Sequence, residues 1–215
     1  MTELVFILDR SGSMSGLESD TIGGFNAMIK KQQSENDDAA FVSTILFNHE
    51  SEILHDRVAL EKISPLTEKD YQVGGSTALL DAVGDAIKHI KNIHKYAREE
   101  DRPQKTIFII TTDGEENSSE RFSYKEIKKL IERQKEIGWE FIFLGANIDA
   151  ADVAENIGID RRRAANYHSD RLGTQKVYGA MSNFVSFARS SAAMSAPVDD
   201  TWREELDEDF KSRKK

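Results

Sequence analysis

Short apolar runs alternate with longer amphipathic segments along this chain of 215 residues, and this alternation constrains its fold more than any other feature. The clearest runs cover about residues 3–8, 40–47, 106–111 and 139–144. They are rich in Val, Ile and Phe and are too short for helices, so they predict buried strands. Strands that alternate with amphipathic helices are typical of an α/β fold, in which helices cover both faces of a mainly parallel sheet.

Four amphipathic segments supply the expected helices, because their apolar residues recur at helical spacing. The third begins at Ser123, which with Glu126 has the spacing of a capping box. Less regular segments predict a short helix near residues 150–155 and a short strand near 165–167. The apolar stripes of the four main helices are Leu17, Thr21, Phe25, Met28 and Ile29; Leu79, Val83, Ala86, Ile87, Ile90 and Ile93; Ile127, Leu130 and Ile131; and Val177, Met181, Phe184, Val185 and Ala188.

One stretch departs from the strand and helix alternation. Phe47 and Ile53 are separated only by the polar turn 48–51, which predicts a hairpin and therefore one antiparallel edge strand. We accordingly expect a doubly wound, mainly parallel six-stranded sheet in the order 3-2-1-4-5-6, flanked by helices.

The chain shows no composition break within this pattern, so we expect one domain over residues 1–195, followed by a charged tail or extension over 196–215. The last 17 residues, 199–215, carry 7 acidic and 5 basic side chains. Such a composition predicts a solvated helix or a frayed tail.

The composition also limits the chemistry and the partners of the protein. There is no cysteine, which excludes disulfides, thiolate zinc sites, iron–sulfur clusters and a cysteine nucleophile. A formal charge of −9 argues against nonspecific binding to nucleic acid or to an anionic membrane. The sequence shows neither a charged leader followed by a long apolar core nor a run of about 18 apolar residues, so we expect a soluble, cytoplasmic protein.

The segment after the first predicted strand carries the chemistry that is most informative. Asp9, Ser11 and Ser13 alternate in a glycine-containing turn, so their three oxygen-bearing side chains can converge at the end of that strand. Taken alone, small polar residues at such a position are as well explained as caps of the following helix.

Two further segments favour a metal site over helix caps. The predicted strand over 106–112 is followed by Asp113, and in the expected strand order the ends of this strand and of the first one flank the ligand crevice. Two carboxylates held close together repel each other unless a cation lies between them. Thr77, in a glycine-rich loop before the second long helix, adds a hydroxyl. Hard oxygen ligands of this kind favour Mg²⁺, with Mn²⁺ or Ca²⁺ as alternatives.

These residues resemble the metal-ion-dependent adhesion site of the von Willebrand factor type A domains. The pattern of that family is Asp-x-Ser-x-Ser after the first strand, a threonine in a later loop and an aspartate after the fourth strand. All five positions are matched here, and the resemblance extends from residue 3 to about 190. It implies a metal site in which Ser11, Ser13 and Thr77 hold the metal, and in which Asp9 and Asp113 act directly or through water.

The resemblance further implies a protein-interaction module rather than an enzyme. In such a module the metal binds an aspartate or glutamate that is supplied by a partner protein. The chain resembles intracellular members of bacterial or phage type, and such relatives often work beside AAA-type ATPases in assembly or regulatory complexes. An AAA-type ATPase complex is therefore one partner that the resemblance suggests.

Two other interpretations stay open from the sequence. A hydrolase or phosphotransferase could use the same metal with Asp9 as nucleophile, but the phosphatase pattern would require a second aspartate at Ser11. The motif could also be idle, with another surface performing the function. The polar loop 114–119 could rim the site and contact the partner, or could merely connect a strand to a helix.

Overall fold

A six-stranded sheet forms the centre of the computed structural model, which describes residues 1–35, 38–190 and 200–213. The strands are ordered β3-β2-β1-β4-β5-β6. All neighbours pair in parallel except β2 and β3, which are antiparallel. The predicted strand order and the antiparallel edge strand are thus confirmed. The bounds are β1 (Thr2–Asp9), β2 (Ala40–Phe47), β3 (Ser51–Ala59), β4 (Lys105–Thr112), β5 (Trp139–Ala146) and β6 (Ala164–Tyr167).

Six α-helices surround this sheet in the described residues, together with short 3-10 turns. The predicted capping box is present at the start of the third helix: the side chain of Ser123 accepts from the backbone N–H of Glu126, whose carboxylate accepts from the N–H of Ser123. The bounds are α1 (Glu18–Glu35), α2 (Leu79–Tyr96), α3 (Tyr124–Lys135), α4 (Ala150–Asn156), α5 (Arg171–Ser190) and α6 (Glu204–Ser212).

The hydrophobic core has two layers, one on each face of the sheet. Every residue of β1 is buried, and its side chains alternate between the layers. Phe6 packs in the layer of α1 and α5, whereas Ile7 packs in the layer of α2, α3 and α4. A strand that is covered on both faces has no polar alternation, which explains its continuous apolar sequence. Each such side chain contributes about 1.5–3 kcal/mol through burial.

The C-terminal segment differs from its prediction. The boundary expected at residue 195 lies outside the described residues. Residues 200–213 form a 3-10 turn and α6, and Trp202 and Leu206 are buried against the domain. The ring of Trp202 contacts Phe184 of α5 edge to face at 5.4 Å. A helix is therefore present, as one of the two predicted alternatives, and most of its residues are exposed or half-buried. The other alternative, a frayed tail, is wrong for these residues, because Trp202 and Leu206 attach the segment to the domain.

No helix in the described parts of the chain has the length and apolar character that a membrane span requires.

Candidate functional site

The five residues singled out in the sequence lie at one edge of the sheet, where the parallel strands end. β1 lies between β2 and β4, so β2 and β3 lie on one side of it and the later strands lie on the other. This reversal of strand order leaves a crevice at the C-terminal end of β1. Asp9 ends β1 and Asp113 follows β4 directly. Strand order alone therefore brings the two carboxylates, 104 residues apart in sequence, to the same crevice.

Asp9 is only 2% exposed and is held by two short hydrogen bonds. Its Oδ1 accepts from the backbone N–H of Ser11 at 2.7 Å, and its Oδ2 accepts from the hydroxyl of Thr112 at 2.6 Å. The hydroxyl of Tyr71 donates to its carbonyl oxygen. Burial raises the pKa of Asp9 above its ordinary value, and the nearby Asp113 adds to this, while the donors Thr112 and Ser11 oppose it. A cation beside this carboxylate would favour its charged form.

Ser13 links the segment after β1 to the segment after β4. Its Oγ lies 3.1 Å from the Oγ of Ser11 and donates to Oδ1 of Asp113. Asp113 is 1% exposed, and its Oδ2 accepts from the hydroxyl of Ser169 at 3.0 Å. The two serines and the second aspartate of the motif are therefore in direct contact.

Thr77 completes the group from the loop before α2. A methyl group built on Gly114 would lie 3.4 Å from Oγ of Ser13 and 3.6 Å from Oγ1 of Thr77. Both hydroxyls thus lie close to Gly114, where a larger side chain would press against them. Thr77 is only 3% exposed, so its hydroxyl is shielded from solvent.

Backbone hydrogen bonds join the loop that contains Thr77 to the segment after β1. The N–H of Gly12 donates to the carbonyl of Gly75 at 3.0 Å, and the N–H of Gly74 donates to the carbonyl of Arg10 at 2.9 Å. Gly75 has a φ of +76°, and a Cβ there would lie 2.2 Å from Nδ1 of His49. The turn between β2 and β3 therefore places a histidine against this loop, which the sequence did not indicate.

The polar loop 114–119 supports the site rather than only connecting β4 to α3. Asn117 accepts from the N–H of Thr77 through its side chain at 2.9 Å and donates its own N–H to the carbonyl of Thr77 at 3.0 Å. The carboxylate of Glu116 accepts from the N–H groups of Leu80 and Ser119 at 2.9 and 2.7 Å. These contacts hold the loop of Thr77 against the end of β4.

Further along this connection, Asp81 of α2 holds the chain before α3. Its carboxylate accepts from the N–H groups of Glu120, Arg121 and Phe122 at 3.0–3.1 Å. Burial raises its pKa, but the three N–H donors and the guanidinium of Arg121 outweigh this, so the pKa of Asp81 lies below its ordinary value.

Sequence reasoning missed four residues that hold the motif. Thr112, Tyr71 and Ser169 donate to the motif aspartates, and Asn147 donates its side-chain amide to the carbonyl of Asp113 at 3.2 Å. The sequence could have indicated Thr112, because it directly precedes the predicted ligand Asp113. Ser169 and Tyr71 reach the site through strand order and a long loop, which no local pattern reports.

The donor set of this site consists of hydroxyl and carboxylate oxygens. In the residues that the structure describes, no group of three or more acidic or histidine side chains is arranged to hold a metal ion. A cation at this edge would therefore depend on the Ser and Thr hydroxyls as well as on the two aspartates. Oxygen donors of this kind suit the hard cations Mg²⁺, Mn²⁺ and Ca²⁺.

Solved structures with the same fold include two pilus proteins. The PilB minor pilin from Streptococcus sanguinis is 12% identical, with a TM-score of 0.61 over 86% of this chain and 61% of the pilin. The vWF domain of the type V pili tip protein Mfa5 from Porphyromonas gingivalis is 11% identical, with a TM-score of 0.61 over 90% of this chain and 98% of that domain.

Proximal thread matrix protein 1 from the mussel byssus, in a structure whose MIDAS motif is occupied by zinc, is 14% identical; its TM-score is 0.58 over 86% of this chain and 46% of that protein. The chain thus spans about three fifths of the pilin and under half of the thread protein. At such identities these neighbours establish the fold alone.

A search of curated proteins by sequence found no match. A sequence profile of the von Willebrand factor type A domain, by contrast, matches residues 3–179, which is most of the chain and contains all five motif positions. The six-stranded sheet, the crevice at the end of β1 and this match lead to one conclusion: the chain belongs to the von Willebrand factor type A domain family.

Proposed function

We propose that this protein is a metal-dependent protein-interaction domain that binds an acidic side chain of its partner. The cation is Mg²⁺, with Mn²⁺ or Ca²⁺ as alternatives. When bound, it supplies a positive charge that accepts an aspartate or glutamate from the partner protein. Five side chains of this chain would hold it: Asp9, Ser11, Ser13, Thr77 and Asp113.

One observation carries this proposal. Two almost fully buried carboxylates and three hydroxyls, from three separate loops, lie at the same edge of the sheet, and a methyl group on Gly114 would contact two of the hydroxyls. Buried carboxylates without a countercharge are unfavourable, and the raised pKa of Asp9 reflects that cost. The donor chemistry fits a small, hard cation.

An interaction role fits these residues better than hydrolysis or phosphoryl transfer, so we propose that the protein is not an enzyme. Ser11 occupies the position at which a phosphatase of the type considered above has its second aspartate. Asp9 has both carboxylate oxygens engaged by Ser11 and Thr112, which makes it a poor nucleophile. His49 lies against the loop of Thr77, so a phosphate-hydrolysis assay with Mg²⁺ is still an informative control.

The cellular setting is a further part of the proposal. We propose that the domain works in the cytoplasm, within an assembly or regulatory complex, and that this complex contains an AAA-type ATPase. The support is the resemblance of the motif to intracellular family members and a net charge that disfavours nucleic acid and anionic membranes.

The primary test is titration of the purified, metal-free protein with Mg²⁺ and Mn²⁺ by calorimetry. Wild type and Asp152→Ala, an exposed aspartate of α4, should bind one ion, whereas Asp113→Ala should not. At metal concentrations of about ten times the Kd, wild type should gain about 1.4 kcal/mol of unfolding free energy. Absence of binding by the wild type would refute the proposal.

The interaction itself is tested by retaining proteins from an extract of the natural source on immobilised wild type, in Mg²⁺ and in EDTA. A partner that binds through the metal should be retained by wild type in Mg²⁺ and lost in EDTA and with Asp113→Ala. Retention of the same proteins under all three conditions would contradict metal-bridged binding. Hydrolysis of phosphate esters that requires Mg²⁺ and Asp9 would instead indicate an enzyme.

A further inference from the structure

The C-terminal segment 200–213 lies beyond the residues that the family profile matches, yet it contacts the loop that joins β6 to α5. The ring of Phe210 stacks on His168, with centroids 4.7 Å apart, and Nε2 of His168 donates to the carbonyl of Phe210 at 3.2 Å. Nη1 of Arg213 donates to Oδ2 of Asp170 at 2.5 Å. The residues on either side of Ser169 are thus both tied to the end of α6.

Ser169 in turn contacts the motif directly. Its hydroxyl donates to Oδ2 of Asp113, while Oδ1 of the same carboxylate accepts from Ser13. The orientation of the Asp113 carboxylate is therefore set from two sides. A continuous series of contacts runs from α6 through Ser169 to a residue of the candidate metal site.

Other contacts also hold the segment 200–213 against the domain. Trp202 and Leu206 are buried, and Nη1 of Arg203 donates to the carbonyl of Ala164 in β6. Glu205 forms an ion pair with Lys176 of α5 at 2.9 Å. These contacts attach the segment to the domain without involving the loop 168–170. The contacts of Phe210 and Arg213 with that loop form a separate set.

We infer that residues 200–213 form a positioning element for the metal site, which acts by holding Ser169 against Asp113. This inference rests on the proposed function, because it concerns the same cation. A carboxylate whose orientation is set before the cation arrives loses less conformational freedom on binding. Ser169, Phe210 and Arg213 are thus positioning residues, and their loss should weaken metal binding without removing any proposed ligand.

The test compares the Mg²⁺ and Mn²⁺ affinities of full-length variants by calorimetry, at a temperature at which each is folded by circular dichroism. Ser169→Ala should lose about tenfold in affinity, as expected for one hydrogen bond to a charged group. Arg213→Ala and the uncharged change Phe210→Ala should each lose about three- to tenfold. Removing the charge of Arg213 would by itself favour a cation, so a loss with Arg213→Ala cannot be a charge effect.

The matched control is Glu205→Gln, which breaks an ion pair of the same helix away from the loop and should leave affinity unchanged. A double variant, Ser169→Ala with Arg213→Ala, should bind no more weakly than Ser169→Ala alone, because both changes remove the same effect. In metal-free protein, hydrogen exchange of the amides of residues 168–170 should accelerate in Arg213→Ala but not in Glu205→Gln.

Three outcomes of these experiments would contradict the inference, in whole or in part. Unchanged metal affinity in Arg213→Ala and Phe210→Ala, with binding by wild type, would overturn this inference and leave the proposed function intact. Fully additive losses in the double variant would overturn the role of Ser169 as the link. Absence of metal binding by wild type would refute the proposed function and this inference together.

Discussion

The hydroxyl of Thr112 donates a 2.6 Å hydrogen bond to Oδ2 of Asp9, which joins the ends of the two central strands of the sheet. Both residues are almost completely buried. The bond gives the buried carboxylate of Asp9 a donor in place of water. It also offsets part of the rise in the pKa of Asp9 that burial causes. The same bond leaves the carboxylate in one orientation relative to Ser11.

Replacing this donor should weaken both the fold and the metal site. Thr112→Val keeps the shape of the side chain but removes its hydroxyl, and we expect a loss of about 1.5–3 kcal/mol in unfolding free energy at neutral pH. Urea unfolding in EDTA measures this loss, and calorimetry should show weaker Mg²⁺ binding. The matched control is Thr111→Val, whose hydroxyl makes only a 3.5 Å contact with the carbonyl of Ile7. Equal effects of the two changes would contradict a special role for Thr112.

Gly114→Ala should weaken metal binding and have little effect on the stability of the fold. The added methyl group would lie 3.4 Å from Oγ of Ser13 and 3.6 Å from Oγ1 of Thr77, so it should reduce Mg²⁺ affinity at least tenfold. The backbone of Gly114 is not in the left-handed region, and unfolding free energy in EDTA should change by less than about 1 kcal/mol. Gly23→Ala, in open space on α1, is the control and should bind Mg²⁺ normally. Wild-type affinity in Gly114→Ala would place the cation elsewhere.

The pH dependence of stability should report the role of Asp81. Its pKa is lower in the folded protein than its ordinary value of 3.8, because N–H donors and Arg121 outweigh the effect of burial. A depressed pKa stabilises the fold above the unfolded value, and this contribution is lost as the pH falls through the folded pKa. Asp81→Asn should therefore cost about 1–3 kcal/mol at pH 7, and the difference from wild type should shrink below about pH 4.

Urea unfolding in EDTA at several pH values between 3 and 7 measures this difference. Asp85→Asn is the control. Asp85 is more exposed than Asp81, and it forms an ion pair with the side chain of Arg121. A difference between wild type and Asp81→Asn that stays constant down to pH 3 would show that the charge of Asp81 contributes nothing to stability.

Gly173→Ala should disturb the loop that carries Ser169. A Cβ on Gly173 would lie 1.9 Å from the carbonyl oxygen of His168, so the loop or the first turn of α5 must move. We expect a loss of about 1–3 kcal/mol in unfolding free energy, together with weaker Mg²⁺ binding. Gly179→Ala, on the same helix and with open space around its Cβ position, should change neither property. Normal metal affinity in Gly173→Ala would indicate that the position of Ser169 does not matter for the site.

The fold could be predicted from the sequence because its strands are buried on both faces. Leu4 and Val5, for example, face opposite core layers, so the strand is apolar throughout and stands out from the amphipathic helices. The edge hairpin could also be predicted, since only a short polar turn separates Phe47 from Ile53. The expected order 3-2-1-4-5-6 is a common one for doubly wound α/β sheets, and it is the order observed.

The site could be predicted only in part. The five motif positions are local patterns at strand ends, so they were recognisable, and the structure brings Ser11, Ser13 and Asp113 into contact. The supporting residues were not recognisable: Ser169 follows β6, and a serine after a strand has many ordinary explanations. The docking of segment 200–213 was not predicted either, because its charged composition outweighed its two buried apolar residues, Trp202 and Leu206.

The sequence by itself determined the strands, the helices and the oxygen donors of the crevice, because periodicity and residue type act over a few neighbouring positions. Only the tertiary structure decided which side chains complete those donors. Thr112 reaches Asp9 because β1 and β4 are adjacent, and Ser169 reaches Asp113 because β6 ends at the same edge of the sheet. Contacts between residues that far apart in sequence depend on how all the layers pack together, and no local pattern carries that information.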